Sequence, residues 1–206
     1  MESQARGRTR WKRFAVVMVP SVAATAAIGV ALGQGALAAS FSVSGQNFKV
    51  TTEKLVGTGF TQYGSIDAGH NGALHPVAVS TFDEAKITNL CQSVVVPVPV
   101  FGDVSVKLGA GGKGAAPVEA KNLYIDLDQL QANATFNNID IGVAVDNLSK
   151  GPKPKPGEKV LPGSFAQQAD SAVLTDVKQT AWATTAGTFK LSGLKLNVSK
   201  GKNECF

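Results

Sequence analysis

Apolar and polar residues alternate along most of the chain after residue 40. The alternating runs are short and are separated by Gly, Asn and Asp, which is typical of strands joined by tight turns. They predict strands at residues 41–50, around Val79, and at 93–101, 103–108, 123–130, 135–145 and 189–198. A period of two buries one face of a strand and leaves the other in water, as in antiparallel sheets. Because strong helix formers do not cluster, the pattern predicts one all-β domain over residues 40–206, an antiparallel β-sandwich or β-roll.

Two of these runs have a clear apolar and a clear polar face. In the first, Asp126 and Asp128 lie opposite the apolar residues around Ile125. Neighbouring carboxylates can bind calcium or do acid–base work, but the alternation favours the wet side of a half-buried strand. The apolar faces of the two runs consist of Leu123, Ile125 and Leu127, and of Ile139, Ile141, Val143 and Val145.

The two ends of the predicted domain resemble each other. Residues 41–50 and 189–198 both fit Phe-x-(Val/Leu)-Ser-Gly-x-x-(Phe/Leu)-x-Val. A shared Ser-Gly in the middle of a strand predicts a bulge or bend at Gly45 and Gly193. Between these ends, the Gly-rich residues 109–117 and the Pro- and Lys-rich residues 151–159 predict surface loops that leave the sheet.

The first 40 residues follow a different pattern. Residues 14–32 carry no charge, and small residues follow them up to Ser40. This order predicts a secretory signal over residues 1–39, cleaved at the Ala-x-Ala site of Ala36 and Ala38, next to Ala39. Nineteen uncharged residues are also enough to cross a core of roughly 30 Å, so the apolar span 14–35 is alternatively a retained transmembrane anchor helix. The basic head before this span consists of Arg6, Arg8, Arg10, Lys12 and Arg13.

Residues 1–39, which we call the leader, also hold most of the chain's excess positive charge. The whole chain has a formal charge of +5, but the residues after 39 contain 15 lysines against 14 acidic side chains and no arginine. Arginine is the preferred side chain for bidentate contacts to phosphates and bases. The sequence therefore excludes a nucleic-acid partner and leaves the membrane as a partner of the leader, if the leader is retained.

Two cysteines, Cys91 and Cys205, follow the leader. An even number of cysteines in an exported chain favours a disulfide, and the alternative is a pair of free buried thiols. A metal site would need more ligands than two distant cysteines supply.

The chain has two histidines, His70 and His75, in the segment AGHNGALHP. With Asp67 they have the residue types of a zinc site, but the spacing is wider than zinc sites usually show. The glycines and proline of this segment indicate a turn instead. The sequence therefore predicts no metal ligand and no cofactor.

No catalytic residue is predicted either. A Gly-x-Ser-x-Gly nucleophile elbow is absent. Ser-x-x-Lys pairs occur at Ser192/Lys195 and Ser199/Lys202, where strand alternation explains the lysines as solvent-facing. Trp182, the one tryptophan after the leader, is predicted to lie in the core.

Several longer segments resemble a known group of proteins. They are SFSVSGQNFKV, LVGTGFTQYGSID, ITNLCQSV, FAQQADSAVLTDVKQTAWATTAGTFKL and the final ECF. The chain resembles an actinobacterial, streptomycete-type family of small exported proteins of uncharacterised function, often labelled cholesterol esterase. The resemblance implies export, a cell-envelope setting and pairing of Cys91 with Cys205, and its label implies an esterase without assigning catalytic residues.

Taken together, the residues predict a secreted or anchored cell-envelope protein without enzymatic activity. Strands with one apolar face and few reactive side chains favour binding of lipid or another apolar ligand between the sheets. The alternative is the lipid-ester hydrolase that the family label implies. An open apolar cavity would favour the ligand-binding interpretation, and a filled core would count against it.

Overall fold

The computed structural model describes residues 44–206 with the exception of residue 71. The predicted leader, its span 14–35 and the cleavage residues Ala36, Ala38 and Ala39 lie outside the described residues. In the described part the one helical element is a 3₁₀ turn, Val145–Asn147. The strands are β1 (Phe48–Ala68), β2 (Leu74–Thr88), β3 (Leu90–Val98), β4 (Gly102–Ala110), β5 (Val118–Asn137), β6 (Asp140–Ala144), β7 (Phe165–Thr185), β8 (Thr188–Lys190) and β9 (Lys195–Lys200).

Every strand pairing is antiparallel, so the all-β antiparallel fold predicted by the alternation is confirmed. No helix in the described part is long and apolar enough to cross a membrane.

The four longest strands form a closed circuit of pairings. β1 pairs with β2 and with β7, β2 pairs with β5, and β5 pairs with β7. Because the circuit closes, the central residues of β1 and β7 have a partner strand on both sides and present no free edge. The main apolar core lies between these strands and includes Leu55, Phe60, Phe82, Leu123, Leu174 and Val177.

A smaller three-stranded sheet extends from one end of β1. β3 pairs with Lys49–Thr51 of β1, and the order continues through β4 to β9. We call β3, β4, β9 and the C-terminal residues 201–206 the wing. A disulfide joins Cys91 in β3 to Cys205, 114 residues later in the chain.

The C-terminal residues 201–206 lie along one face of the wing. The backbone N–H of Cys205 donates to Ser93 Oγ at 2.9 Å, and that of Asn203 donates to Ser105 Oγ at 2.7 Å. Lys107 Nζ donates to the carbonyl of Glu204 at 3.1 Å. The disulfide and these bonds together hold the tail against the sheet.

Some predicted strand boundaries differ from the structure. The run predicted at 135–145 is two strands, because the chain turns at Asn138, where φ is +52°. The run predicted at 189–198 is also divided, into β8 and β9. The prediction of a Ser-Gly bulge in mid-strand is wrong, since Ser44–Gly45 and Ser192–Gly193 both lie outside the strands. Gly193 has a φ of +65°, which suits a turn.

We expect replacement of both Cys91 and Cys205 by serine to lower the free energy of unfolding by roughly 2–5 kcal/mol. The reason is that the closed loop is long, 114 residues, and a cross-link of that length removes much of the unfolded chain's freedom. Urea denaturation of the variant and of the unaltered chain measures the difference. Reduction of the unaltered chain should shift its midpoint in the same direction, and an unchanged midpoint after reduction would contradict the expectation.

Candidate functional site

A cavity of about 160 Å³ lies inside the strand circuit. Eleven of its fourteen lining residues are apolar, and they come from β1, β2, β5 and β7. The three polar lining residues are Gln62, Ser80 and Gln179. The core between these strands is therefore not completely filled.

One wall of the cavity is formed by the second half of β5. Leu130, Ala132, Ala134 and Phe136 line the cavity at every second position, and Leu130 is 41% exposed. The pairing of β5 with β7 is irregular here, with register shifts from Asp126 to Asn133. This half of β5 is thus both the lining and the outer rim of the cavity.

Aromatic side chains form the opposite part of the lining. The ring of Phe60 lies 5.0 Å from that of Phe136 and 5.4 Å from that of Phe82. Tilted aromatic pairs at such distances are favourable. They hold the rim strand β5 against β1 and β2.

A short chain of polar side chains reaches into the cavity. Gln62 Nε2 donates to Ser80 Oγ at 2.6 Å, and Gln167 Nε2 donates to Gln62 Oε1. Since the hydroxyl of Ser80 accepts this bond, its own proton remains to be donated. The cavity therefore combines an apolar interior with one polar wall, which suits a ligand with an apolar tail and a small polar group.

The outer face of β1, β2 and β5 is covered by residues 148–154 and 158–160, which we call the strap. Gln168, 4% exposed, holds its beginning through Oε1, which accepts from the N–H groups of Ser149 and Lys150. Gly151 lies so close to Gly59 that an added Cβ would stand 2.1 Å from the Gly59 carbonyl oxygen.

The strap accepts hydrogen bonds from side chains of the sheet. Thr61, Ser65 and Tyr124 donate to the carbonyls of Pro152, Lys159 and Lys153 at 2.8, 3.2 and 3.0 Å, and Tyr63 donates to the Glu158 carboxylate at 3.0 Å. The loop predicted at residues 151–159 therefore leaves the sheet ladder as expected. It is nevertheless packed on the sheet at these points, because its carbonyls satisfy buried hydroxyls.

Burial under the strap changes the acidity of both tyrosines. Burial raises the pKa of Tyr63 far above its ordinary value, and the negative charge of Glu158 adds to the effect. Burial followed by Glu158 raises the pKa of Tyr124 in the same way.

The residues considered for a metal site are only partly brought together. Asp67 and His75 are direct partners across β1 and β2. The ring of His75 stacks on Trp182 at 3.8 Å, whereas His70 lies in the adjoining turn. Among the described residues, no three His, Cys, Asp or Glu side chains are arranged to hold a metal ion.

Other residues singled out in the sequence lie close to their predicted environments. Asp128 and Lys195 are exposed, while Asp126 is half-buried. Trp182 is also half-buried and packs against a second, smaller buried cluster, so it belongs to the edge of the core and not to its centre. This cluster consists of Tyr63, Val77, Val79, Val145, Leu148 and Ala166.

The three polar cavity residues were missed by the sequence pattern. Gln62, Ser80 and Gln179 occupy positions in long strands whose neighbours two residues away are apolar. A polar residue within an otherwise apolar face is the signal that marks them. That signal alone does not distinguish a cavity wall from an ordinary break in the pattern.

We expect both tyrosines of the folded chain to resist ionisation. The chain has two tyrosines, and both pKa values are raised. At about pH 10.5 a free tyrosine, with a pKa of about 10, is mostly ionised. An ultraviolet titration of the folded chain should show less tyrosinate at this pH than the chain unfolded in urea at the same pH, which should give the full signal.

The raised pKa values also fix the sign of the pH dependence of stability. The folded chain keeps protons that the unfolded chain loses near pH 10, so the free energy of unfolding should fall as the pH rises above about 10. In Tyr63→Phe the free energy of unfolding should fall less steeply with pH, and Tyr124→Phe is the matched comparison. A tyrosinate signal that appears at about pH 10 in the folded chain would contradict both expectations.

Comparison with known proteins identifies the family of the chain. Residues 44–206 match the family of unknown function DUF6230, and the chain belongs to this family. No curated protein matches the chain, and no solved structure does.

Proposed function

We propose that this chain is an exported or membrane-anchored cell-envelope protein that binds a small apolar ligand in the cavity of its strand circuit, without enzymatic activity. The observation that carries the proposal is a cavity of about 160 Å³ with eleven apolar and three polar lining residues. An apolar void inside an otherwise packed core is costly to the protein, because the lining side chains lose contacts there. A ligand that fills the cavity restores these contacts.

The size of the cavity limits the class of ligand. An engineered apolar cavity of about 150 Å³ accepts benzene, and pockets for drug-sized molecules start near 300 Å³. The cavity of 160 Å³ therefore suits a short alkyl chain or one end of a longer acyl chain. A whole sterol does not fit without rearrangement of the rim strand β5.

The polar wall defines the chemistry of the other end of the ligand. Ser80 is 4% exposed and accepts from Gln62, so its hydroxyl can donate to an alcohol or carboxyl oxygen of a ligand. Such a bond would orient a ligand whose tail lies among Leu55, Leu127 and Leu174.

Two features support the extracytoplasmic setting. The basic head and apolar span of residues 1–39 have the order of an export signal. The disulfide between Cys91 and Cys205 suits an oxidising compartment, since structural disulfides are rare in the cytoplasm.

Replacement of Ala134 by phenylalanine tests the cavity. Ala134 lines it from the rim strand, so Ala134→Phe should fill space and weaken binding of the probe hexan-1-ol by tenfold or more. Burial of six carbons contributes about 5 kcal/mol before the costs of association, so millimolar binding is the expected range. Methyl chemical shifts of the cavity leucines, followed during a hexan-1-ol titration, give the affinity.

The matched control is Thr135→Phe, an exposed neighbour on the same strand that does not line the cavity. It should leave the affinity for hexan-1-ol within about twofold. Equal affinities of the unaltered chain and Ala134→Phe, or no binding at millimolar hexanol, would overturn the proposal.

The protein should be recovered from the exported fraction, where its mass shows whether residues 1–39 are removed and whether a ligand is retained.

One observation favours a second candidate, the lipid-ester hydrolase. Asp67 lies directly opposite His75 in the β1–β2 register, and Ser65 is two residues from Asp67 on the same strand. Alternation directs Ser65 and Asp67 to the same face, so the three residue types of a hydrolase triad share one patch. Ser65, however, is 7% exposed and donates to the carbonyl of Lys159 in the strap.

A base must come within hydrogen-bond reach of the nucleophile, and in this arrangement the strap carbonyl occupies that position. We therefore expect the purified chain to show no hydrolysis of a short-chain ester that a serine-directed inhibitor abolishes. Ser65→Ala and His75→Ala should behave like the unaltered chain in the same assay. Inhibitor-sensitive turnover that either substitution removes would establish the hydrolase in place of the binding protein.

A further inference from the structure

The wing has one covered face and one open face. Ser93, Ser105 and Lys107 bond to the C-terminal tail on the covered face. On the opposite face Val94, Val106 and Val198 are aligned across the three strands by the register. Because side chains alternate, neighbouring positions on the same face are also apolar, up to Leu108 and Leu196.

The exposure of this open face increases toward the edge strand β9: Val94 and Val106 are half-buried, and Leu108 is half-buried against the main core. Leu196 is 64% exposed and Val198 is 60% exposed. At the end of the β3–β4 hairpin, Phe101 is 69% exposed. A contiguous exposed apolar surface on a sheet is typical of an interaction site with protein or membrane.

The wing, taken with its flanking residues 99–101, 111–113 and 191–194, differs in charge from the rest of the described chain. Residues 90–113 and 191–206 contain five lysines and two acidic side chains. Residues 44–89, 114–154 and 158–190 contain nine lysines and twelve acidic side chains. The apolar face thus belongs to a positively charged part of a molecule whose other described parts are negative.

The net positive charge of the wing argues against a second copy of the chain as the partner. Two wings that met through their open faces would bring like charges together, which disfavours association.

We infer that the open face of the wing docks on an anionic lipid surface, with Leu196 and Val198 in the interfacial region and Lys200, which alternation places on the same face, near the headgroups. Interfacial binding depends on buried apolar area together with attraction to anionic lipid. Lysine stems can lie along the apolar surface while their ammonium groups stay in water. This docking does not depend on the cavity or on retention of the leader.

Tryptophan reporters in the full-length chain test the docking. Val198→Trp places an indole on the wing, and Ile141→Trp places one on β6, at the other end of the sheet order and with a similar exposure of 67%. Both carry Trp11→Phe, so that the leader contributes no indole and Trp182 is a shared background. Vesicles of brominated phosphatidylglycerol and phosphatidylcholine quench an indole that enters the interface.

The wing reporter should be quenched at least twofold more than the β6 reporter, even if the leader itself inserts. Vesicles of brominated phosphatidylcholine alone should remove most of this difference. Lys200→Gln in the wing reporter should weaken the vesicle-dependent quenching by about fivefold. Lys195→Gln, on the covered face of the same strand, is the matched control and should weaken it less. Circular dichroism checks that each variant is folded. A mass shift of about two units on reduction checks that its disulfide has formed.

Three results would overturn the inference. The first is equal quenching of the two reporters in anionic vesicles. The second is equal quenching of the wing reporter in anionic and neutral vesicles. The third is a blue shift of the wing reporter that increases with protein concentration in the absence of lipid, which would identify a second copy as the partner.

Discussion

The pairing of β1 with β7 is the constraint on which the rest of the structure depends. It joins Phe48–Tyr63 to Ala166–Ala181, segments more than 100 residues apart in the chain. Without this pairing, β1, β2, β5 and β7 would form an open sheet with two long free edges. With it, the inward side chains of the four strands face one another, and both the core and the cavity are defined by the same closure.

The closure also explains why the interior is incompletely filled. β7 faces neighbours on both sides, and several of its buried positions are alanine, among them Ala169, Ala172 and Ala181. Small side chains let the strands approach. The space in front of Leu55 and Leu174 is lined from the opposite side by Ala132 and Ala134 of β5, whose side chains are too short to fill it.

The same strand shows why the sequence predicts the fold class better than the topology. Period-two alternation of large apolar residues revealed β4 and the first half of β5, and the fold class follows from such runs. In β7 most inward residues are alanine or glutamine, with Leu174 and Val177 as larger exceptions, and Asp176 with a φ of +53° interrupts the period. Because alanine contrasts weakly with polar neighbours, the strand that closes the circuit leaves almost no signal.

The candidate site is less predictable than the strands for a related reason. A cavity depends on which side chains oppose one another across strands, and Gln62 meets Ser80 and Gln167 only through the register. The contacts of the strap could not be predicted from the sequence pattern either. Prolines at residues 152, 154 and 156 exclude the segment from the sheet ladder, but only the fold brings Thr61 and Tyr63 beneath its acceptors.

The wing, unlike the strand circuit, leaves one face of its sheet exposed. Each sheet face of the circuit is covered, by the opposite strands on the inside and, over part of the outside, by the strap. The wing is too small to close on itself, and the disulfide from Cys91 to Cys205 holds the tail on one of its faces. Because a single tail covers one side of a sheet, the other side, with Val94, Val106 and Val198, is left for a partner outside the described chain. The position of the disulfide thus determines which face of the wing is available for binding.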